Sequence, residues 1–185
     1  MRTGAGRVDV LDELRSGRRD SLDRVVSLLY PELREIARRH LARRESASLV
    51  TTALVHEAYL KLVDQSRAGW RDRAHFLALA AVAMRHILAD RAKARVAAKR
   101  GGHQLRVTLD DELVPVDSQP EALLQVDEAL HRLAAVDGRL ARVVECRFFG
   151  GLTNEEIAEA LGVTARTVER DWVKARMLLR RALAP

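Results

Sequence analysis

The chain has 185 residues, of which 48% are hydrophobic, so it can bury one or two small cores. Its net charge of +6 and its pI near 10.2 favour a polyanionic partner, and charge alone leaves DNA, RNA and a membrane surface open. The N-terminus lacks the apolar core of a signal peptide, and the longest apolar run, Phe76 to Met84, is too short to span a bilayer. We therefore expect a cytosolic protein. The lone Cys146 excludes an internal disulfide and a multi-cysteine zinc site, and its apolar neighbours indicate a core position.

The first hundred residues show helical periodicity throughout. An apolar repeat predicts one kinked helix or two, with Pro31 suited to a first turn. The inward positions are Leu22, Val25, Val26, Leu29, Leu33, Ile36, Ala37, His40 and Leu41. A basic run at 38–44 ends this segment, either at a helix C-terminus, where the dipole favours cations, or on a solvated face. Thr51 or Thr52 is then expected to cap an amphipathic helix over 53–63, with Leu54, Ala58 and Leu62 inward and Val55 and Tyr59 flanking them.

A polar loop at 65–73 precedes a long helix, which Asp72 is placed to cap and which Gly101 and Gly102 would end. The first half of this helix is apolar at Phe76, Leu79, Ala80, Ala83, Ile87 and Leu88. The second half is a basic rod carrying Arg91, Lys93, Arg95, Lys99 and Arg100. His86, Asp90, Lys93 and Arg100 fall on one stripe, because offsets of four, three and seven residues return to the same helix face. This stripe is suited to reading or tracking nucleic acid.

Residues 101–120 differ in kind, with glycines, two prolines and an acidic cluster at 110–112 but no helical repeat. They predict an extended linker, and a β-hairpin over 105–107 and 113–116 is the alternative. The predicted fold is therefore all-α with two small helical domains, 1–100 and 121–185, joined by a linker over 101–120.

The last domain should contain four helices, and Gly150 and Gly151 break the chain before the final pair. Thr153 and Glu156 form a capping box that begins a helix, which Gly162 can end in the left-handed conformation. Thr164 then caps a second helix. Its inward positions are Val168, Trp172, Ala175 and Leu179, and its open face carries Arg166, Glu169, Arg170, Val173 and Lys174.

Two short helices joined by a glycine-containing turn, the second one basic and exposed, are typical of a DNA-binding helix-turn-helix. An ordinary helical hairpin with a solvated face is the alternative. We expect no catalysis, no cofactor and no metal. His56 and Glu57 begin a zinc-protease pattern, but the second histidine that the metal requires is replaced by Leu60.

These blocks together resemble a bacterial RNA polymerase sigma factor of the extracytoplasmic-function (ECF) class, over about residues 14–183. The segment 52–60 is similar to the helix with which that family grips the clamp helices of the largest polymerase subunit. The segment 76–93 is similar to its −10 recognition helix, and 149–172 to its −35 reader. Leu79 stands where the family usually has Trp and His86 where it usually has Asn, so the preferred −10 bases are expected to differ.

The resemblance implies three sets of contact residues and a single process, transcription initiation with DNA melting. Polymerase would bind Leu54, His56, Glu57, Tyr59 and Leu60. The −10 element would meet Trp70, Arg71, Arg85, His86, Asp90, Arg91, Lys93 and Arg100, with the 66–73 loop as a pocket for a flipped base. The −35 element would meet Thr153, Arg166, Thr167, Glu169, Arg170, Val173, Lys174 and Arg176.

His86, with an ordinary pKa of about 6.5, would gain charge next to phosphate in mild acid, with Asp90 one turn away. The alternative is that His86 faces the domain core or is only solvated. An anti-sigma factor or a regulatory kinase is a further partner that the resemblance allows. Two other functions stay open at this point. One is a response-regulator output protein with an α/β receiver domain, and the other is a helical adaptor.

Overall fold

The computed structural model describes residues 19–41, 47–64, 72–98 and 120–183, which form eight α-helices and one π-helical segment. The helices before the predicted linker are α1 (Arg19–Leu28), α2 (Tyr30–Leu41), α3 (Ala47–Asp64) and α4 (Arg73–Ala98). Those after it are α5 (Pro120–Val136), α6 (Gly138–Val144), α7 (Asn154–Leu161) and α8 (Ala165–Leu183), with the π-helical segment at Glu145–Phe149. The predicted all-α fold is confirmed. The linker, its hairpin alternative, Trp70, Arg71, Lys99 and Arg100 lie outside the described residues.

The first apolar repeat forms two helices, α1 and α2, with a break at Leu29. Hydrogen bonds continue across the break, from Leu29 N to Val25 O and from Leu33 N to Leu29 O, both at 2.9 Å. The predicted inward positions are buried, except that Val26 is only partly buried.

Helix α3 buries Leu54, Ala58 and Leu62, as predicted. It begins at Ala47, however, and not after a cap at Thr51 or Thr52. No glycine or proline precedes Thr51 within this helix to stop it, and Thr51 is buried inside the helix at 1% exposure.

Helix α4 lies at the centre of the molecule, 26 residues and roughly 39 Å long. The Asp72 carboxylate caps it by accepting a hydrogen bond from His75 N at 2.7 Å, as predicted. It packs against α2 and α3, which precede the predicted linker, and against α5, α7 and the π-helical segment, which follow it. Small side chains let these helices approach closely. The buried alanines of α4 are Ala74, Ala78, Ala80, Ala81, Ala83, Ala89 and Ala92.

The π-helical segment changes which phenylalanine enters the core. Phe149 is buried, whereas Phe148, the predicted core residue, is only partly buried. The segment ends with Gly150 N bonded to Glu145 O at 3.0 Å, and Gly151 follows in the left-handed conformation at φ 62°. Cys146 is buried as predicted, and burial, followed by the charge of Glu145, raises the pKa of its thiol to about 12. None of the described helices is both long enough and apolar enough to cross a membrane.

Candidate nucleic-acid interface

The helix-turn-helix is built from the local signals seen in the sequence. Thr153 Oγ1 accepts from Glu156 N at 3.2 Å, and Glu156 Oε2 accepts from Thr153 N at 2.9 Å, so the capping box is complete. Gly162 ends α7 with φ 67°, a conformation that disfavours a side chain. Thr164 Oγ1 accepts from Thr167 N at 3.2 Å and starts α8. The geometry of this pair of helices therefore follows from residues close together in the chain.

Helix α8 presents a basic face to solvent. Its apolar stripe is buried at Val168, Ala175 and Leu179, and Trp172 is partly buried. The opposite side is exposed, with Val173 at 68%. The exposed residues among the predicted −35 contacts are Thr153, Arg166, Glu169, Arg170, Val173 and Lys174. All six stand open to a duplex that approaches this side of the helix.

The two remaining predicted −35 residues are less open. Thr167 is half-buried, and its hydroxyl lies 2.9 Å from that of Thr164. Arg176 is half-buried, with its guanidinium carbon 5.7 Å from the ring centre of Trp172. Arg147 lies over the same ring at 4.8 Å. Trp172 thus packs against cations instead of being fully enclosed by apolar groups.

An ion pair between a buried carboxylate and an exposed arginine, absent from the sequence prediction, joins α8 to α6. Asp171 is 3% exposed, and its Oδ2 accepts from Arg139 Nε at 2.6 Å. The hydrogen bond that Arg139 donates to Asp171, and then the charge of this carboxylate, raise the pKa of Arg139. The sequence contained one signal for this ion pair. Asp171 lies between Val168 and Ala175 on the inward stripe of α8, and a buried charge at such a position needs a partner.

The predicted −10 residues lie along α4 in three different environments. Arg85 is buried, at 3% exposure, and binds two carboxylates of the C-terminal helices, Asp127 and Glu145. Its Nη2 donates to Glu145 Oε1 at 2.7 Å, and its Nη1 donates to Asp127 Oδ1. The sequence prediction missed both carboxylates, since neither is near Arg85 in the chain.

His86 is half-buried, with its Nε2 2.8 Å from Arg85 Nη2 and its ring 6.3 Å from that of His131. Burial, and then the positive charge of Arg85, lower the pKa of His86 from its usual 6.5. In this conformation burial and the charge of Arg85 outweigh the charge of Asp127, so they oppose the predicted gain of charge at His86 in mild acid.

Around Asp90 and Lys93, α4 is open to solvent and also contacts α3. Asp90 and Lys93 are exposed, and their charged groups lie 3.8 Å apart. Arg91 Nη2 donates to Glu57 Oε1 at 2.6 Å, which joins a predicted DNA contact to a predicted polymerase contact. Both partners are more than a third exposed, so this pair contributes little to stability.

The predicted polymerase residues surround one face of α3. Leu54 is fully buried, so it supports this face from within, whereas His56 and Leu60 are exposed. Tyr59 Oη donates to Asp23 Oδ1 of α1 at 2.5 Å. A groove of about 270 Å³ lies between α1 and α3. It is lined by Asp23, Val26, Ser27, Tyr30, Thr52, Val55, His56 and Tyr59.

Further contacts join the helices before the predicted linker to those after it. Arg73 bridges Glu32 and Glu156, at 3.2 and 3.0 Å. Arg39 Nη1 donates to Gly150 O at 3.1 Å, and the ring of His40 stacks on that of Phe149 at 5.2 Å. Burial opposes ionisation of Glu156, but hydrogen bonds from Thr153 and Arg73 outweigh it and lower the pKa of this carboxyl.

Comparison with known proteins identifies the family of this chain. None of the curated proteins searched matches the chain. The sequence profile of one family, described as ECF sigma factor, matches residues 7–185. That match spans all three sets of predicted contacts. The chain therefore belongs to the ECF sigma factor family, whose role is in transcription initiation.

Proposed function

We propose that this sigma factor binds core RNA polymerase, reads a −35 duplex through α8 and a −10 strand through α4, and supports promoter melting. The observation that carries this proposal is the exposed basic face of a fully capped helix-turn-helix in a chain of this family. Neither of the other two functions gains support. A receiver domain would need strands, and α1 to α4 are all helical in the described residues before the linker.

At the −35 element, α8 would lie in the major groove. Arg170 and Lys174 are one turn apart and exposed, so both reach the same stretch of base edges. Glu169 can accept from a cytosine amino group, and Val173 can contact a thymine methyl. Thr153, Arg166, Thr167 and Arg176 would hold the flanking phosphates and fix the register.

At the −10 element, the open end of the α4 stripe would meet single-stranded DNA through Asp90, Arg91 and Lys93, together with Arg85 and His86. Trp70, Arg71 and Arg100 stay predictions from the family resemblance. Separating the strands costs a few kcal/mol for each unstacked base, so capture of a flipped base and phosphate contacts must offset that cost. No reaction is catalysed, in keeping with the family's role.

Polymerase would bind the face of α3 that carries His56, Glu57, Tyr59 and Leu60. This face is polar at Glu57 and apolar at Leu60, which is 49% exposed. The groove beside Tyr59 offers room for a side chain of the partner. An anti-sigma factor or a kinase stays a proposed regulator, and no contact seen in this molecule identifies one.

The test is transcription from a genomic fragment library with purified core polymerase, comparing wild type with Arg170→Ala/Lys174→Ala. Each base contact is worth about 1–3 kcal/mol, so promoter use should fall by roughly tenfold or more. Binding to core polymerase should not change. The matched control is Arg180→Ala/Arg181→Ala, which removes the same charge from exposed positions at the end of the same helix.

The control should transcribe at nearly the wild-type level. Equal losses in the two variants would mean that only total charge matters and would reject base reading by α8. A parallel loss of core binding would indicate misfolding of the variant, which circular dichroism would reveal.

A further inference from the structure

The predicted −10 surface of α4 is partly covered by the molecule itself. Helix α5 packs along α4, and Arg85 and His86 lie under its residues Asp127 and His131. Among the stripe residues that the structure describes, only Asp90 and Lys93 are open, with side chains that are 62% and 59% exposed. A DNA strand cannot reach Arg85 while α5 occupies this position.

The groups that cover Arg85 resemble the group that DNA would present. The guanidinium binds two carboxylates, and carboxylate and phosphate oxygens both suit its fork of N–H donors. Lys93 Nζ also lies 3.9 Å from the second oxygen of Asp127. The Arg85 cluster, which we define as Arg85, Asp127 and Glu145, therefore places acidic side chains where a phosphate would bind.

The interface combines an apolar core with a buried charge cluster that stability alone does not require. Burying a charge cluster carries a desolvation penalty, and well-packed apolar residues of similar volume would often hold two helices together as well or better. The outlying contacts, Arg39 with Gly150 O and Arg73 with Glu156, are also polar and are only partly buried. Such contacts can be exchanged for others, because a competing anion can satisfy the same cations.

The −35 face, by contrast, is not covered. Arg166, Arg170, Val173 and Lys174 are all exposed in the same conformation. Duplex binding by α8 and access of a strand to Arg85 are therefore separable, and only the second requires the helices to part.

We propose that this conformation is a closed, self-inhibited state, in which the Arg85 cluster holds α5 over the strand-binding surface of α4. The proposal rests on the proposed function, since it takes α4 as the −10 reader. Before a −10 strand binds, α5 must leave and Arg85 must exchange Asp127 and Glu145 for phosphate. The affinity of the free protein for single-stranded DNA is then lower than that of the open state, because only the open fraction can bind.

The test removes the carboxylates and leaves Arg85 in place. The full-length variant Asp127→Asn/Glu145→Gln is compared with Glu128→Gln/Glu159→Gln, which changes the net charge equally at exposed positions. The probe is a fluorescein-labelled pool of single-stranded DNA of mixed sequence. If wild type is open for a tenth of the time or less, freeing Arg85 should tighten binding by about tenfold or more, and the control should match wild type.

Opening itself is measured by energy transfer between dyes on Ala53→Cys and Ala182→Cys, both exposed positions, one on each side of the linker. The native Cys146 should label slowly, because it is buried and its thiol has a pKa raised to about 12. Transfer should fall in the carboxylate variant and not in the control. Unchanged transfer and unchanged strand binding would overturn the proposal.

A second variant guards against misfolding of the first. Arg39→Gln/Arg73→Gln loosens the outlying contacts without leaving a fully buried charge unpaired, since both arginines are about a third exposed. It should also bind the single strand more tightly than wild type, although it has lost two positive charges. Weaker binding by this variant, with transfer unchanged, would overturn the proposal.

The same samples separate this inference from the function on which it rests. If wild type with core polymerase transcribes, but the carboxylate variant neither opens nor gains strand affinity, the closed state is overturned and the sigma function stands. If no variant transcribes or binds a strand, both are overturned.

Discussion

His40 illustrates how one side chain can make the fold sensitive to acid. It is 3% exposed, and its Nε2 has no hydrogen-bond partner among the described residues. Burial, and then the charge of Arg85, lower its pKa from 6.5 to about 3. Below pH 6.5 the unfolded chain therefore binds a proton at His40, whereas the folded chain binds this proton only near pH 3. Above pH 6.5 both states are neutral at this residue, and no penalty arises.

Between these limits, stability should fall by about 1.4 kcal/mol for each pH unit, or about 2 kcal/mol from pH 6.5 to pH 5. Urea unfolding at the two pH values measures this change. Glutamine at position 40 does not titrate in this pH range. The unfolding free energy of His40→Gln should therefore change by about 2 kcal/mol less than that of wild type between pH 6.5 and pH 5, even if the variant is more or less stable at both pH values. His131→Gln, at a ring that is 58% exposed, is the matched control variant. An identical dependence in His40→Gln would show that His40 is protonated in the folded state.

Helix α7 is the element in which local sequence decides most of the structure. Thr153→Ala removes the acceptor for Glu156 N and should destabilise the protein by about 1 kcal/mol. For a chain of this size the melting temperature should fall by roughly 2–4 °C. Thr153→Ser keeps the hydroxyl acceptor and is the matched variant. Differential scanning calorimetry of both compares the losses, and an equal loss in Thr153→Ser would assign the effect to the missing methyl group and not to the cap.

The sequence predicted well those elements whose signals lie close together in the chain. The capping box, Gly162 and the Asp72 cap depend on residues within four positions of one another, so the sequence contains the whole signal. The start of α3 was missed because Thr51 resembles a cap but lies inside a longer helix. The π-helical segment was missed because nothing in the spacing of Phe148 and Phe149 distinguishes a wider turn from an α-helical one.

At the scale of the whole molecule, the missing information is long-range. The exposed face of α8 was predicted because helical periodicity alone separates its two sides. The burial of Arg85 was not, because Asp127 and Glu145 lie 42 and 60 positions away in the chain. Periodicity marks an apolar face, but it does not say which helix covers it or which charges meet across it.

The contacts of α4 lead to a final prediction about cooperativity. One continuous core includes residues from both sides of the linker, and α4 touches α5, α7 and the π-helical segment. The chain should therefore unfold as one unit although its linker suggests two domains. In a Trp70→Phe background, fluorescence reports only Trp172 of α8, while far-ultraviolet ellipticity reports all helices. In urea, the two signals should change with the same midpoint.

Asp127→Asn/Glu145→Gln in that background should separate the two midpoints, because the helices on either side of the linker then lose their charged contact and unfold independently. Glu128→Gln/Glu159→Gln should leave the midpoints coincident, since its acids are exposed and lie outside the Arg85 cluster. Separate midpoints in the parent protein would show that packing across α4 and α5 adds little to stability. Coincident midpoints in the carboxylate variant would show that the apolar contacts between these helices suffice to hold them together without the Arg85 cluster.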